Sequence, residues 1–162
     1  MRTLRQRIKE KGVKSIVYID ESGFDGSCYR SHGWAVKGKK VYGDRSGKRS
    51  KRTSLLLAQS GTHRFAPFLF EGTCHAVLFN TWLERCLIPA LKPEQTIIMD
   101  NAAIHKSLET RERIEAAGCH LLFLPPYSPD FNPIEKTFGV LKRKRPLLPE
   151  NTTIDELVCS IL

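Results

Sequence analysis

The stretch from His120 to Glu135 (His-Leu-Leu-Phe-Leu-Pro-Pro-Tyr-Ser-Pro-Asp-Phe-Asn-Pro-Ile-Glu) constrains this chain most. The apolar run Leu121–Leu124 predicts a short buried strand. Pro125 and Pro126 must end it, because proline donates no ladder hydrogen bond and fixes its own φ. Pro129 and Pro133 stiffen the loop that follows. Asn132 is the expected N-cap and Pro133 the expected first residue of the next helix. Glu135 then stands in that helix's first turn, delivered by a rigid loop to a set place beside a strand end.

Strands and helices alternate through the second half of the chain. Ser15–Asp20 predicts a β-branched and aromatic strand that ends on the turn Asp20-Glu21-Ser22-Gly23. A second strand is expected over Gly33–Val36, with Lys37-Gly38 turning the chain. Lys39–Arg52 reads as a basic loop, with room for a short strand at Val41-Tyr42. Thr53–Gln59 and His63–Phe70 predict a hairpin across Ser60-Gly61-Thr62. Between Cys74 and Leu91 the period changes: Leu78, Trp82 and Cys86 form one row and Phe79, Leu83 and Leu87 the next, an amphipathic helix ended near Pro89 or Pro93. Thr96–Asp100 predicts a buried strand and His105–Ala117 a charged helix with Gly118 at C′. The helix from about 133 to 144 and a weaker one over Ile154–Leu162 complete the order. The expected fold is α/β, a mixed sheet with helices on both faces, antiparallel early and parallel late. Residues 1–14 read as a basic N-terminal arm or linker remnant and 15–162 as one domain.

Three acids fall at matched places. Asp20 and Asp100 end strands and Glu135 opens a helix; functional side chains of open α/β sheets gather outside such strand ends. Three carboxylates brought together repel unless a cation sits between them. Oxygen-only donors select a hard ion, Mg²⁺ or Mn²⁺. Two such ions about 4 Å apart suit an in-line phosphoryl displacement. Each acid also has a plain structural reading, as a turn former or a helix-dipole partner. Glu21 should point away from Asp20 by strand alternation, and Asp130 suits an Asx turn.

Charge supplies the matching substrate class. The net charge is +9, and 18 of the 26 basic residues lie in three clusters. These are 2–14, 37–52 (Lys37, Lys39, Lys40, Arg45, Lys48, Arg49, Lys51, Arg52) and 142–145 (Lys142, Arg143, Lys144, Arg145). Clustered cations favour a phosphate backbone through counterion release, so the last two clusters are the expected DNA contacts. No apolar run approaches the roughly 20 residues that cross a bilayer, and no secretory h-region is legible, so a cytoplasmic, nucleoid-associated protein without membrane contact is expected. Five scattered cysteines read as reduced thiols. Cys74-His75 and Cys119-His120 fit no common zinc spacing. Trp34 reads as a core strand aromatic, with base stacking as the alternative.

The phrases Tyr18-Ile19-Asp20-Glu21-Ser22-Gly23-Phe24, Gly33-Trp34-Ala35, Met99-Asp100-Asn101-Ala102-Ala103-Ile104-His105 and Leu124–Glu135 resemble the DDE transposase catalytic domain of the mariner-like insertion-sequence superfamily. The 34 residues between Asp100 and Glu135 match the branch whose triad ends in Glu. The resemblance covers about residues 15–145. It implies a ribonuclease H-like fold and a catalytic, metal-ligating triad of Asp20, Asp100 and Glu135. It further implies Mg²⁺- or Mn²⁺-dependent cleavage at transposon ends and transfer of the freed 3′-hydroxyl strand into target DNA. Asn101 and His105 match family positions around the second acid; support of Asp100, DNA contact and structural capping all remain open for them. Family members carry a helix-turn-helix region ahead of this domain, and residues 1–14 show none. A fragment, a decayed copy, or one reading frame whose partner encodes a helix-turn-helix subunit would account for that. Pairing two transposon ends would need at least a homodimer in action. The rival functions are a catalytically impaired DNA-binding remnant and a nuclease or resolvase of the same fold.

Overall fold

The computed structural model describes residues 12, 15–25, 35–40, 42, 51–125, 131–149 and 151–162. Its centre is a five-stranded sheet with strands β1 (Ile16–Phe24), β2 (Thr53–Ser60), β3 (His63–Glu71), β4 (Thr96–Met99) and β5 (His120–Phe123), in the order β3-β2-β1-β4-β5. β1, β2 and β3 pair antiparallel, while β1–β4 and β4–β5 pair parallel. The mixed sheet expected from the element order is therefore present. Gly61, at φ 59°, occupies the first position of the tight β2–β3 turn, where a positive φ matches the strands' twist.

Strand alternation divides the core into two layers. Ile16, Tyr18, Leu55, Leu57 and Ile98 face one side with Ile134, Phe138, Leu141, Leu157 and Val158. Those last five belong to helices α3 (Ile134–Lys144) and α4 (Ile154–Cys159). Val17, Ile19, Leu56, Ala58, Ile97 and Met99 face the other side with Phe79, Trp82, Leu83, Leu87 and Ile114. These come from helix α1 (Ala76–Trp82) with its continuation, and from α2 (Leu108–Ala116). β1 and β4 are thus buried on both faces, which is why they read as continuous apolar runs.

The long first helix is broken into types that periodicity does not distinguish. α1 passes into a π-helical turn at Leu83–Leu87 and a 3₁₀ turn at Ile88–Ala90. Pro89 explains the change: it lacks an N–H and its ring would press on the carbonyl four residues back, so the preceding turn widens. Cys74 lies outside the helix, and His75 caps it by accepting the Leu78 N–H at 3.3 Å. Trp82 is buried with its indole N–H donated to the Ala66 carbonyl at 2.9 Å. Ala66 has φ 51° and marks the β-bulge where the β2–β3 register shifts.

Other expectations need correction. β1 does not end at Asp20: Glu21–Phe24 remain in the strand, paired with Leu56–Thr53 of β2. Neither Ala35 nor Val36 is in a strand, although Lys37-Gly38 does turn the chain, closed by a Lys39 N–H to Val36 carbonyl bond at 2.9 Å. The remainder of that expected strand, Trp34 and Val41 lie outside the described residues. The charged helix starts at Leu108 with Ser107 as its cap; His105 closes a separate 3₁₀ turn, Ala103–His105.

Gly118 ends α2 as expected, at φ 71°. Its N–H reaches the Glu115 carbonyl at 2.9 Å and the Cys119 N–H reaches Ile114 at 3.1 Å, the paired bonds of a Schellman motif. A Cβ at Gly118 would meet only Pro93, at an ordinary 3.6 Å, so backbone strain dominates any substitution. Gly118→Ala is expected to cost about 1 kcal/mol and lower the melting midpoint by about 2–4 °C, measured by thermal denaturation.

Candidate active site

The acids meet where the parallel part of the sheet stops. The β1–β4 ladder ends at Tyr18↔Ile98, while β1 runs on along β2, so Asp20 stands just past the end of β4, opposite Leu57. Asp100 is the first residue after β4. Asp20 shares the strand face of Ile16 and Tyr18, the side covered by α3, and Glu135 lies in the first turn of that helix. Alternation sends Glu21 the other way, and its charge contributes to raising the Cys74 thiol.

Among the described residues, Asp20 has the most perturbed carboxyl. Burial, opposed by the Glu21 N–H and reinforced by the charges of Asp100 and Glu135, pushes its pKa from 3.8 to about 7. Its Oδ1 accepts the Glu21 N–H at 2.8 Å and its Oδ2 accepts the Asn132 side-chain N–H at 3.0 Å. Asp100 is opposite in character. It is half-exposed, and a hydrogen bond from His105 holds its carboxyl below the usual range. His105 Nδ1 lies 2.6 Å from Asp100 Oδ1, and the Ala102 N–H donates to the same oxygen at 3.0 Å. Oδ2 receives no hydrogen bond from a described residue. The His105 ring is buried against Phe79, with ring centroids 4.5 Å apart. Asn80 ties α1 to the first turn of α2, accepting from Thr110 Oγ1 at 2.7 Å and donating to Glu109 Oε2 at 2.9 Å. Asn101 is half-buried and takes no part in this bonding.

Glu135 is exposed and borders an open cleft of about 330 Å³ with Asp20, Glu21, Ser22, Phe138, Gly139 and Lys142. Asp100 approaches Asp20 from outside that cleft. The far end is cationic. Lys142 Nζ lies 6.0 Å over the Phe24 ring, Arg145 bonds the Asp25 carbonyl, and the Arg52 guanidinium lies against Gly23, where a Cβ would collide with it. Three of the expected DNA contacts therefore converge on the end of β1. Lys144 instead ties α3 to Ser160 at 2.8 Å, Lys51 pairs with Glu71 at 2.8 Å, and Arg143, Lys37, Lys39 and Lys40 are exposed. Arg45, Lys48 and Arg49 lie outside the described residues.

Oxygen-only donors and a carboxyl driven to about 7 by burial and two like charges match a hard divalent cation in kind. The match is incomplete in geometry: among the described residues no three His, Cys, Asp or Glu side chains stand together at ligating spacing. The cysteine–histidine pairs do other work. Cys74 is buried with its thiol pushed up to about 11, Cys119 donates to the Lys92 carbonyl at 3.3 Å, and His120 lies 3.8 Å from Glu94.

Sequence reasoning placed Asn132 as a helix cap. The helix is capped by Pro133 without a side-chain bond, and the Asn132 amide turns to Asp20 instead. The Gln59–Thr137–Arg64 chain was also unforeseen. Thr137 Oγ1 donates to Gln59 Oε1 at 2.7 Å, and Arg64 reaches both Thr137 and the Ile161 carbonyl, locking α3 and α4 onto β2 and β3.

No curated protein matches the sequence. Among solved structures, the chain is similar to a pre-cleavage Mos1 transpososome, at 21% identity and TM-score 0.71 over 87% of this chain and 46% of that one. It is similar to the Mos1 mariner paired end complex with Mn at 23% identity and TM-score 0.70, covering 87% and 46%. It is also similar to the catalytic domain of Mos1 mariner transposase at 18% identity and TM-score 0.66, covering 98% and 74%. The chain spans about half the length of the transpososome and paired-end chains. These likenesses are of fold, and the fold is ribonuclease H-like. Residues 15–157 match the family described as DDE superfamily endonuclease, and the chain belongs to that family.

Proposed function

We propose that this chain is the catalytic domain of a transposase, cleaving DNA at transposon ends and transferring the 3′-hydroxyl strand into target DNA. Asp20, Asp100 and Glu135 are its catalytic residues and hold two divalent ions, Mg²⁺ or Mn²⁺. The observation that carries the reading is the Asp20 carboxyl at the end of the parallel ladder, pushed to about 7 by burial, with the charges of Asp100 and Glu135 adding to it. It is a group that a cation would convert to a stable carboxylate. Bound ions would supply Lewis-acid activation of the attacking oxygen and neutralise charge on the leaving one.

The protein's own groups do the rest. Asp100 is aimed by the His105 ring and the Ala102 N–H on Oδ1, and no described residue bonds Oδ2. Asp20 is fixed by one donor on each oxygen. Lys142, Arg145 and Arg52 form a cationic edge for the phosphates flanking the scissile bond, and Phe138 and Gly139 wall the cleft beside it. Lys37, Lys39, Lys40, Arg45, Lys48, Arg49, Lys51, Arg143 and Lys144 are proposed as further DNA contacts on the ground of their charge. In support, the similar Mos1 structures include paired end complexes with Mn and with Mg and a strand transfer complex. DNA, a second copy pairing the ends, and a separately encoded helix-turn-helix subunit are the proposed partners. Residues 1–14 are proposed as an arm or linker ahead of the domain over 15–162. No helix among the described residues is long and apolar enough to cross a membrane, and a cytoplasmic, nucleoid-associated protein is proposed.

The test is nicking of supercoiled plasmid followed by joining of a 3′-hydroxyl oligonucleotide. Nicking is expected with Mg²⁺ or Mn²⁺ and should fall at least about a thousandfold with chelator, the loss of roughly 4 kcal/mol of transition-state stabilisation. Nicking without joining would replace the transposase by a nuclease. DNA binding with no nicking in either metal would leave a DNA-binding remnant.

A further inference from the structure

Asn132 bonds the Asp20 carboxyl and the backbone of Glu135. Its side-chain N–H donates to Asp20 Oδ2 at 3.0 Å, across 112 positions of sequence. Its backbone carbonyl accepts the Glu135 N–H at 3.1 Å. The residue is 5% exposed. An ionised carboxylate only accepts, so with Asp20 charged the amide N–H₂ faces it, and Asn132 Oδ1 is then buried with no partner among the described residues. An orphaned buried oxygen is destabilising, so stability alone does not favour an amide at this position. Helix capping does not account for it either, since the side chain caps nothing. What the amide does is lock one face of Asp20 to the residue that leads into Glu135.

We infer that Asn132 is a positioning residue that sets the Asp20 carboxylate in place relative to Glu135; the inference rests on the metal-dependent reading above. The Glu21 N–H restrains Oδ1 and Asn132 restrains Oδ2, so the plane of the carboxylate is fixed by two donors. Each oxygen still has a lone pair for a cation. Without Asn132 the carboxylate rotates about its last torsion, and ion binding must order it. Groups that orient a metal ligand in this way are worth about ten- to a hundredfold in metal affinity.

The experiment is Mn²⁺ titration calorimetry on the full chain for the wild type, Asn132→Ala and Asn132→Ser, with Asp100→Asn as a control. Melting curves and DNA affinity without divalent metal are measured alongside. The serine hydroxyl is a bond too short to reach Asp20, so both Asn132 variants should lose the clamp; Ser also suits a helix start and serves if Ala fails to fold. Both should bind Mn²⁺ about tenfold more weakly than wild type while melting cooperatively and keeping DNA affinity, which rests on the basic edge. Unchanged Mn²⁺ affinity in a cooperatively folded Asn132 variant overturns the inference while loss of binding in Asp100→Asn preserves the metal reading. An equal fall in DNA affinity also overturns it, because the role would then be structural. Wild-type protein that binds no Mn²⁺, with or without DNA, overturns both.

Discussion

Replacing Asp20 by Asn should make the metal-free protein more stable and abolish DNA nicking. With the carboxyl pKa raised from 3.8 to about 7, the folded state binds a proton more readily than the unfolded state. Stability from this group is therefore fully present below about pH 4, declines as pH rises, and is gone above about pH 7. At pH 8 the wild type carries an ionised, poorly solvated carboxylate beside two others. The cost is about 2–4 kcal/mol, from roughly three pKa units at 1.36 kcal/mol each. Asp20→Asn removes the charge and fits the local bonds. Its amide oxygen keeps the Glu21 N–H, and its amide N–H₂ donates to Asn132 Oδ1 once that side chain flips, so the bond between the two side chains is kept. Chemical denaturation at pH 8 without divalent metal should show a gain of that size, shrinking toward zero near pH 4. Asp100, whose carboxyl is lowered, acts with the opposite sign and loses its contribution only as pH falls below the ordinary carboxylate range. Mg²⁺ should raise the melting midpoint of the wild type at pH 8 and leave Asp20→Asn unmoved, because only the wild type has the carboxylate to bind it. A variant no more stable than wild type at pH 8 would mean that Asp20 is not held against its charge.

How far this site was legible follows from which interactions are local. The strand runs Ile16–Ile19 and Thr96–Met99 are buried on both faces, and the apolar run that ends in Phe123 is half-buried, so their sequences announce them directly. Gly118 announces its own helix end, because cap geometry depends on a few neighbouring residues, whereas sequence reasoning places the start at Ser107 two residues early, at His105. The extension of β1 to Phe24 was hidden: Glu21, Ser22 and Gly23 carry turn chemistry, and only pairing with β2 thirty residues on holds them extended. The π turn before Pro89 was hidden because a widened turn leaves the spacing of apolar rows almost unchanged. Asn132 was misread for a related reason. The Asn-Pro pair is a strong local signal for a helix start, and the Asp20 contact that overrides it spans most of the chain. Placement of the acids could be read from topology, whereas their orientation by Asn132 and His105 could not.

The second large effect is expected at Asp100. Its Oδ1 already serves the protein, taking the His105 N–H and the Ala102 N–H, and its Oδ2 is the oxygen left for a cation. Asp100→Asn separates these duties. The amide oxygen can still accept both local bonds, so the 3₁₀ turn and the His105–Phe79 contact should survive, while the melting midpoint at neutral pH falls modestly with loss of the charge-assisted bond from His105. Its N–H₂ group then occupies the open side, where it presents hydrogens instead of a lone pair and repels a cation. Mn²⁺ binding by calorimetry should fall at least about a hundredfold, and nicking at least about a thousandfold, as for loss of several kcal/mol of metal-derived stabilisation. Glu135→Gln should behave differently. Glu135 is exposed at the cleft rim, so its loss should weaken Mn²⁺ by about tenfold while stopping nicking to a similar extent. This ranking separates a built metal centre from three acids that are merely close. If burial and helix polarity alone explained the acids, Mn²⁺ affinity would be the same in all three proteins. A steep loss at Asp100 and a shallow one at Glu135 follows only if Asp100 Oδ2 is a primary ligand position and α3 brings Glu135 in to complete it.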